Sequence, residues 1–458
     1  MPQPGLIAID VTTLLRWATL APVGIIRLER MIVADFLAQF DAGVMFVKFT
    51  DGSYRRLEPA ERRTVDDLCR GPAATDHVES QPVPRGVGRR SAVKHRARML
   101  ARRALLRSPE PLRPLLFQSI TANAALVLAT ARLVRDSRGG IEGRIARLRS
   151  GEARHGNDLD GVRDLIILGL GWEYLDYEYL YNLKLQAGIR IHMPAFDLIP
   201  IVDPQLNPGQ SSLVHRHYTE MAHICHQIIC ISHATEQAVR ALYRYEQLPQ
   251  PTLEVVQLPS FLSATDAPLQ PSPLVPPVPF VLYVSTIEIR KNHILLLKLW
   301  LELIRAGRPM PRLVFVGRRG WLVDDVYHYA ESNAELRPFV SILHDVPDAD
   351  LASLYQHCLF TVFPSRTEGW GLPITESLSM GKICVHSTDP AQVEASQGLM
   401  PALHPDDFMT WRHELLRLID DEPYRDSMEG NIAGTFVRKT PETYCQEFRM
   451  AVVGTSDE

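Results

Sequence analysis

At 458 residues the chain is too long for one ordinary hydrophobic core, so two domains are expected. A hydrophobic content of 46% and a charged content of 22% are those of a soluble globular protein, and a net charge of −4 gives no electrostatic reason to expect nucleic acid. The six cysteines include no C-x-x-C pair and several sit in apolar runs, so neither a zinc site nor a disulfide framework is expected, and buried free thiols fit a reducing compartment. No signal peptide precedes Leu6 and no apolar stretch reaches the length of a membrane span, which leads us to expect a cytoplasmic protein.

In chain order, Leu6-Ile7-Ala8-Ile9-Asp10-Val11 is an unbroken apolar run, read as a first buried strand. Gly24 then opens a helical pattern over 25–40. Strand, glycine loop and helix start make a general geometry for approaching a phosphate. A second strand is predicted over 44–49. The regular pattern stops there, and about 51–160 reads as an insertion in the first domain. Within it, 85–113 is a run of arginines with Lys94 among them and Glu110 as its one acid, interleaved with Met99, Leu100, Leu105 and Leu106. That is the composition of a basic amphipathic helix resting on an anionic membrane surface, with a solvated insertion as the alternative. Nucleic acid is disfavoured because no aromatic side chain interleaves with the cations. Regular structure resumes with a strand over 164–171, followed by Trp172, Glu173 and Tyr174 at the carboxyl edge of a parallel sheet, where ligands bind. In the segment 190–200, Asp197 either faces a ligand or caps a turn. A further strand over 228–232 ends in Ser232, a candidate N-cap for the helix beginning near Ala234.

Seven prolines between Pro259 and Pro279 rule out helix and central strand, so 259–279 is read as a linker after a first domain of 1–258. The second domain, 280–438, opens with a strand over 280–286 that ends in Ser285 and Thr286. Arg290 and Lys291 follow, just before a helix over 293–304. Two cations at a strand-to-helix junction suit a diphosphate; a solvated loop is the alternative. Another strand and glycine turn, 314–321, carries Gly317 and Arg318. Strands at 360–363 and 383–385 then flank the turn Glu368-Gly369-Trp370-Gly371-Leu372 and a helix over 373–380 that starts at a proline. The glycines let backbone approach a ligand, and the helix start offers unpaired N–H groups to an anion. Glu368 and Glu376 repel phosphate but suit neutral hydroxyls on either side of it; two solvated glutamates are the alternative. After Pro405 come an amphipathic helix to Asp420 and a last helix near 443–452, within a tail, 439–458, expected to return to the first domain.

The stretch P-S-x-x-E-G-W-G-L-P-I-x-E-S-L-x-x-G-K closely resembles the signature of retaining glycosyltransferases of family 4. So do V-G-I-I-R-L-E-R at the first glycine loop, D-L-I-P at 197–200, Y-V-S-T-I-E-I-R-K-N at 283–292 and G-R-R-G-W at 317–321. The resemblance implies an α/β protein of the GT-B fold, two Rossmann-like domains facing a cleft. It also implies hexose transfer from a nucleotide sugar, with GDP-mannose the candidate, to a glycan or lipid-linked acceptor hydroxyl. The likeness is greatest to mannosyl- and rhamnosyltransferases of bacterial surface polysaccharide synthesis. By position, Lys291, Arg290 and Glu368 fall at the reacting centre, with Glu376 at the ribose. Gly369, Gly371, Leu372, Gly317, Arg318, Thr286 and Gly24 line the donor, and Asp197 faces the acceptor. Four positions depart from the family pattern: Val23 replaces a small or hydroxylated residue, Phe196 a histidine, Ser285 a glycine, and Thr286 an arginine for which Arg290 or Arg318 would compensate. The scheme the resemblance implies requires no metal or other cofactor. A peripheral position on the inner face of the cytoplasmic membrane would follow from 85–113. A catalytically silent GT-B scaffold and a sugar-nucleotide epimerase are the alternative readings.

Overall fold

The apolar runs become strands because glycines, prolines and helix caps interrupt them every few residues, and they assemble into two separate sheets. The computed structural model describes residues 6–18, 24–40, 43–70, 158–207, 209–262 and 271–454. The first sheet contains β1 (Leu6–Asp10), β2 (Val44–Thr50), β3 (Ser53–Arg56), β4 (Val162–Ile167), β5 (Arg190–Ala195), β6 (Gln227–Cys230) and β7 (Thr252–Val255), in the order β3-β2-β1-β4-β5-β6-β7. All neighbours are parallel except β2 and β3. The second contains β8 (Phe280–Val284), β9 (Arg312–Val316), β10 (Val340–Leu343), β11 (Thr361–Phe363), β12 (Cys384–Ser387) and β13 (Ala402–Leu403), all parallel, in the order β10-β9-β8-β11-β12-β13. Helices cover both faces, so the central strands are buried on both sides. That is why they read as continuous apolar runs rather than alternating ones.

In each sheet the strand order reverses once, between β1 and β4 and between β8 and β11. Crevices open outside the carboxyl ends of parallel strands at such switch points. The loops after β8 and β11 therefore share one crevice, and these are the loops that carry Arg290, Lys291 and Glu368.

The first domain keeps its fold further than expected. The insertion was placed from 51, but Asp51 and Gly52, with φ of 51° and 85°, form a two-residue hairpin turn joining β2 to antiparallel β3. The helix Pro59–Arg70 follows and is tied back by Glu61, which accepts from Lys48 and Arg55. The basic stretch 85–113 lies outside the described residues. Several other helices, Ser211–Ile224 and Asp324–Ser332 among them, had no sequence forecast. Tyr177–Gln186 is N-capped by Asp176, while Glu422–Thr435 buries only Ile432 and contains Gly430 and Gly434, too weak an apolar stripe to read.

The last helix, Pro441–Val453, leaves the second domain and packs on the Gly24–Gln39 helix of the first. It buries Tyr444, Cys445, Phe448 and Val452, pairs Arg449 with Asp35, and receives a bond from Gln227 Nε2 at the Ala451 carbonyl (3.1 Å). All six cysteines are free, five of them buried and Cys69 half-buried.

Candidate active site

After β8 the chain makes one turn of 3-10 helix, Ile289–Lys291, and then Asn292 adopts a left-handed conformation (φ 57°) before the next helix starts at His293. The Tyr283 hydroxyl fixes the Lys291 carbonyl at 2.6 Å. This reversal turns Lys291 inward: it is 7% exposed, with its Nζ 2.5 Å from Glu368 Oε1 and 4.8 Å from the centroid of the Phe363 ring. Arg290 approaches the other carboxylate oxygen, its NH1 lying 2.6 Å from Glu368 Oε2. Its Nε pairs with buried Glu288 at 2.6 Å. Ser365 Oγ also donates to Glu368 Oε1, at 2.5 Å. Burial alone would raise the Glu368 carboxyl, but Arg290 and Lys291 outweigh it and hold the pKa down to about 2. Glu368 is therefore ionised and shared by two cations. Lys291, desolvated and beside the Arg290 charge, is pushed below the ordinary lysine range. This excludes the reading of Arg290, Lys291 and Glu368 as solvated loop residues.

The opposite wall comes from the first domain. Asp197 caps its own turn, accepting from the Ile199 amide at 3.1 Å. Burial raises its carboxyl, while the Arg290 and Lys291 charges act to lower it, so it faces the cluster across the domain boundary. Asp197 thus caps its turn, and the charges of Arg290 and Lys291 reach its carboxyl. Phe196, in place of a histidine, is buried edge-to-face against Trp172, their ring centroids 6.5 Å apart.

The two walls meet at Gly369. A Cβ there would stand 2.2 Å from the Phe196 carbonyl oxygen and 3.0 Å from Asp197 Cβ. Its own carbonyl accepts from Ser232 Oγ (2.8 Å) and Thr235 Oγ1 (3.3 Å), while Ser232 Oγ also accepts from the Thr235 amide as N-cap. Two residues on, Gly371 takes φ 138° and starts the helix Leu372–Ser379. Leu372 reaches back to the first domain, 3.5 Å from where a Gly24 Cβ would lie.

Glu376 stands apart from the Glu368 cluster. It is 7% exposed, accepts from the Tyr355 hydroxyl at 3.1 Å, and is pushed up to about 7 by burial, against the smaller pull of Tyr355 and Arg27. The reading of Glu368 and Glu376 as solvated glutamates fails for both. Arg27 is held across the domains by Asp348 at 2.7 Å. Gly317, with φ 156°, would place a Cβ 1.9 Å from the Ser285 carbonyl oxygen, so close packing of the two strand ends requires glycine there. Thr286 is exposed, and Arg318 turns to Asp345 (3.2 Å). Of the two arginines considered to replace a cation at Thr286, Arg290 joins the cluster and Arg318 does not.

Three positioning residues escaped the sequence reading. Asp389 Oδ2 accepts from the Glu368 amide at 3.3 Å, and burial, with Glu368 nearby, lifts its carboxyl to about 6. Buried Gln392 ties Ser365 to β12, donating to the Ser365 carbonyl (2.8 Å) and accepting from the Ser387 amide (3.0 Å). Glu394 reaches the first domain and accepts from the His233 amide (2.9 Å), the Ala234 amide (3.1 Å) and Gln257 Nε2 (2.7 Å). Only Asp389 left a signal, an N-cap aspartate followed by a first-turn proline.

Residues 269–432 match the profile of the family described as glycosyl transferases group 1. Among curated proteins, O-antigen chain mannosyltransferase B of Escherichia coli is 33% identical over 149 residues, which are 32% of this chain and 38% of that protein. The serotype-specific mannosyltransferase WbdA of the same organism is 34% identical over 99 residues, 22% of this chain and 12% of that one. The matches thus span well under half of either relative. Among solved structures, Anabaena HepE in complex with UDP-glucose superimposes with a TM-score of 0.55 at 13% identity, covering 98% of this chain and 100% of that one, a likeness of fold alone. Over 269–432 the chain therefore matches the group 1 glycosyl transferases, and over nearly its whole length it has their two-domain GT-B architecture.

Proposed function

We propose that this protein is a retaining glycosyltransferase of the family 4 type that moves a hexose from a nucleotide sugar to a hydroxyl of a glycan or lipid-linked acceptor. The observation that carries this reading is the Lys291–Glu368–Arg290 cluster at the switch point of the second sheet, faced by Asp197 from the first domain. A departing nucleoside diphosphate gains negative charge. Lys291 and Arg290 are already desolvated and oriented, so they stabilise that charge without reorganisation, and the amides of Gly371 and Leu372 add dipoles of the same sign. Glu368 keeps both cations in place before the donor arrives and then lies beside the transferred sugar. Glu376 receives the ribose hydroxyls. Asp197 orients the acceptor hydroxyl, whose oxygen bonds the anomeric carbon on the face the diphosphate vacates while its proton passes to the departing phosphate oxygen, which retains the anomeric configuration. The mannosyltransferase relatives favour mannose from GDP-mannose, and no metal is needed in this scheme.

The likeness to an O-antigen chain mannosyltransferase and the basic stretch 85–113 support work at the cytoplasmic face of a membrane. No described helix is long and apolar enough to cross one. The test is release of nucleoside diphosphate from a panel of sugar nucleotides, with and without acceptor, and NMR of the product anomer. Acceptor-dependent release with retention is expected. Binding without turnover would mean a silent scaffold, epimerised donor would mean an epimerase, and an inverted product would overturn the stereochemical assignment.

A further inference from the structure

Arg27 lies in the first turn of the Gly24–Gln39 helix, a turn with no acidic residue. The positive end of a helix dipole disfavours a cation there, so the helix itself gives no reason for an arginine at this position. Its guanidinium reaches out of the first domain and meets Asp348 of the second at 2.7 Å. Both side chains are partly exposed (29% and 40%), and an ion pair of that kind adds little to stability. Its effect is to bring a charge of each sign up to Glu376.

Asp348 opens the helix Asp348–His357, and Tyr355 follows two turns later on the same face. Tyr355 is buried and donates its hydroxyl to Glu376 Oε2 at 3.1 Å. The start of the Glu376 helix, Leu372–Ser379, abuts the start of the Arg27 helix, with Leu372 Cδ1 3.5 Å from where a Gly24 Cβ would lie. Glu376 is the one charged residue in its own helix, so its charge is set from outside. Burial favours the neutral acid; against it Tyr355 and Arg27 favour the carboxylate, and Asp348 opposes them. Cys384, which faces Tyr355, stays a neutral thiol because burial pushes it up to about 12.

We propose that Arg27 is a positioning residue of the nucleotide site: from the first domain it keeps Glu376 ionised as an acceptor for the ribose hydroxyls, and Asp348 holds it there. The inference rests on the ribose role of Glu376 and adds a condition to it, closure of the domains. When the domains part, Arg27 leaves with the first, while Asp348 and Tyr355 stay beside Glu376 in the second. The carboxyl then takes up a proton more readily, and the nucleotide site loses its charged acceptor. Arg27 and Asp348 are bonded to each other yet act on Glu376 with opposite signs. A clamp that merely held the domains together would make its two partners equivalent.

The test is titration of the full chain with GDP and with UDP between pH 5 and pH 9, for wild type, Glu376→Gln, Arg27→Ala, Arg27→Lys and Asp348→Asn. Dividing each affinity by that of Glu376→Gln at the same pH removes the titration of the nucleotide itself. In wild type this ratio should fall as pH drops below about 7, where Glu376 takes up a proton. Arg27→Ala should move that fall up by about one pH unit, a severalfold loss at pH 7 that all but vanishes by pH 9. Asp348→Asn should move it down, and Arg27→Lys, which keeps the charge, should stay near wild type. If Arg27→Ala does not fold, the direction of the shift in Asp348→Asn decides. A fall that stays at the wild-type pH in Arg27→Ala overturns the proposal and leaves the ribose assignment standing. So does an equal loss in Arg27→Ala and Asp348→Asn at every pH. Unchanged affinity in Glu376→Gln, or binding of neither nucleotide, refutes the ribose assignment and the proposal with it.

Discussion

Lys291 answers two demands at once: as a buried cation it needs Glu368, and in its proposed role as a diphosphate ligand it must keep charge to offer. Because Arg290 also holds Glu368, removing Lys291 leaves no bare carboxylate. Lys291→Ala should therefore fold normally yet lose at least tenfold in kcat, the range typical of one preorganised charge at a leaving group. A folded variant with wild-type turnover would take Lys291 out of the site. Glu376 offers a test with two opposite signs. Its folded pKa of about 7 lies above the ordinary 4.5 of an unfolded chain. Its contribution to stability is thus fully present below pH 4.5 and is lost as pH rises through 7, a change of roughly 3 kcal/mol. Glu376→Gln should remove that loss, so the variant is the more stable protein at pH 8 and little different at pH 4. The same change should weaken nucleotide binding by roughly 1.5–3 kcal/mol at pH 8, where the wild-type carboxylate is ionised and accepts ribose hydroxyls. Chemical denaturation and nucleotide titration at the two pH values check both halves. Equal nucleotide affinity would refute the ribose assignment whatever the stability does.

Among elements, the helix His233–Tyr245 shows how the first domain is held to the second. Ser232 caps it from within by binding the Thr235 amide, and Glu394 satisfies the two preceding amides from the other domain. Glu394→Ala should cost about 0.5–2 kcal/mol, the usual worth of a lost N-cap. It should also speed hydrogen exchange at His233 and Ala234 while Thr235 stays protected. Unchanged exchange at the first two would mean the cap is idle in solution. None of this cross-domain bonding was legible in the sequence, because Glu394 and His233 are far apart in the chain and neither belongs to a local pattern. What was legible had a local cause. Apolar runs marked β1, β8 and β11, the proline at 373 marked a helix start, and E-G-W-G-L-P marked the loop that carries Glu368. Asp51-Gly52 is a local hairpin signal too, but the irregular composition that follows it hid β3 and the Pro59–Arg70 helix.

For the whole molecule, Gly369 is a point of close approach between the halves. Any side chain there meets the Phe196 carbonyl, so Gly369→Ala should wedge the domains apart while leaving each sheet intact. We expect kcat to collapse far more than nucleotide affinity, because the proposed donor contacts lie mainly in the second domain and Asp197 in the first. Small-angle scattering should report a larger radius of gyration than for wild type. A variant with unchanged scattering and turnover would show that this contact is not kept in solution.

The return of the Pro441–Val453 helix to the Gly24–Gln39 helix also sets an order of events during synthesis. The ribosome completes all the described strands of the first sheet when β7 is made, but the helix that packs on Gly24–Gln39 and pairs Arg449 with Asp35 is made only much later. At ~5–20 residues per second, the intervening stretch of about 200 residues takes ~10–40 s to translate. For that time the nascent first domain carries an uncovered apolar stripe, which makes it a client for chaperones that bind exposed hydrophobic surface beside the exit tunnel.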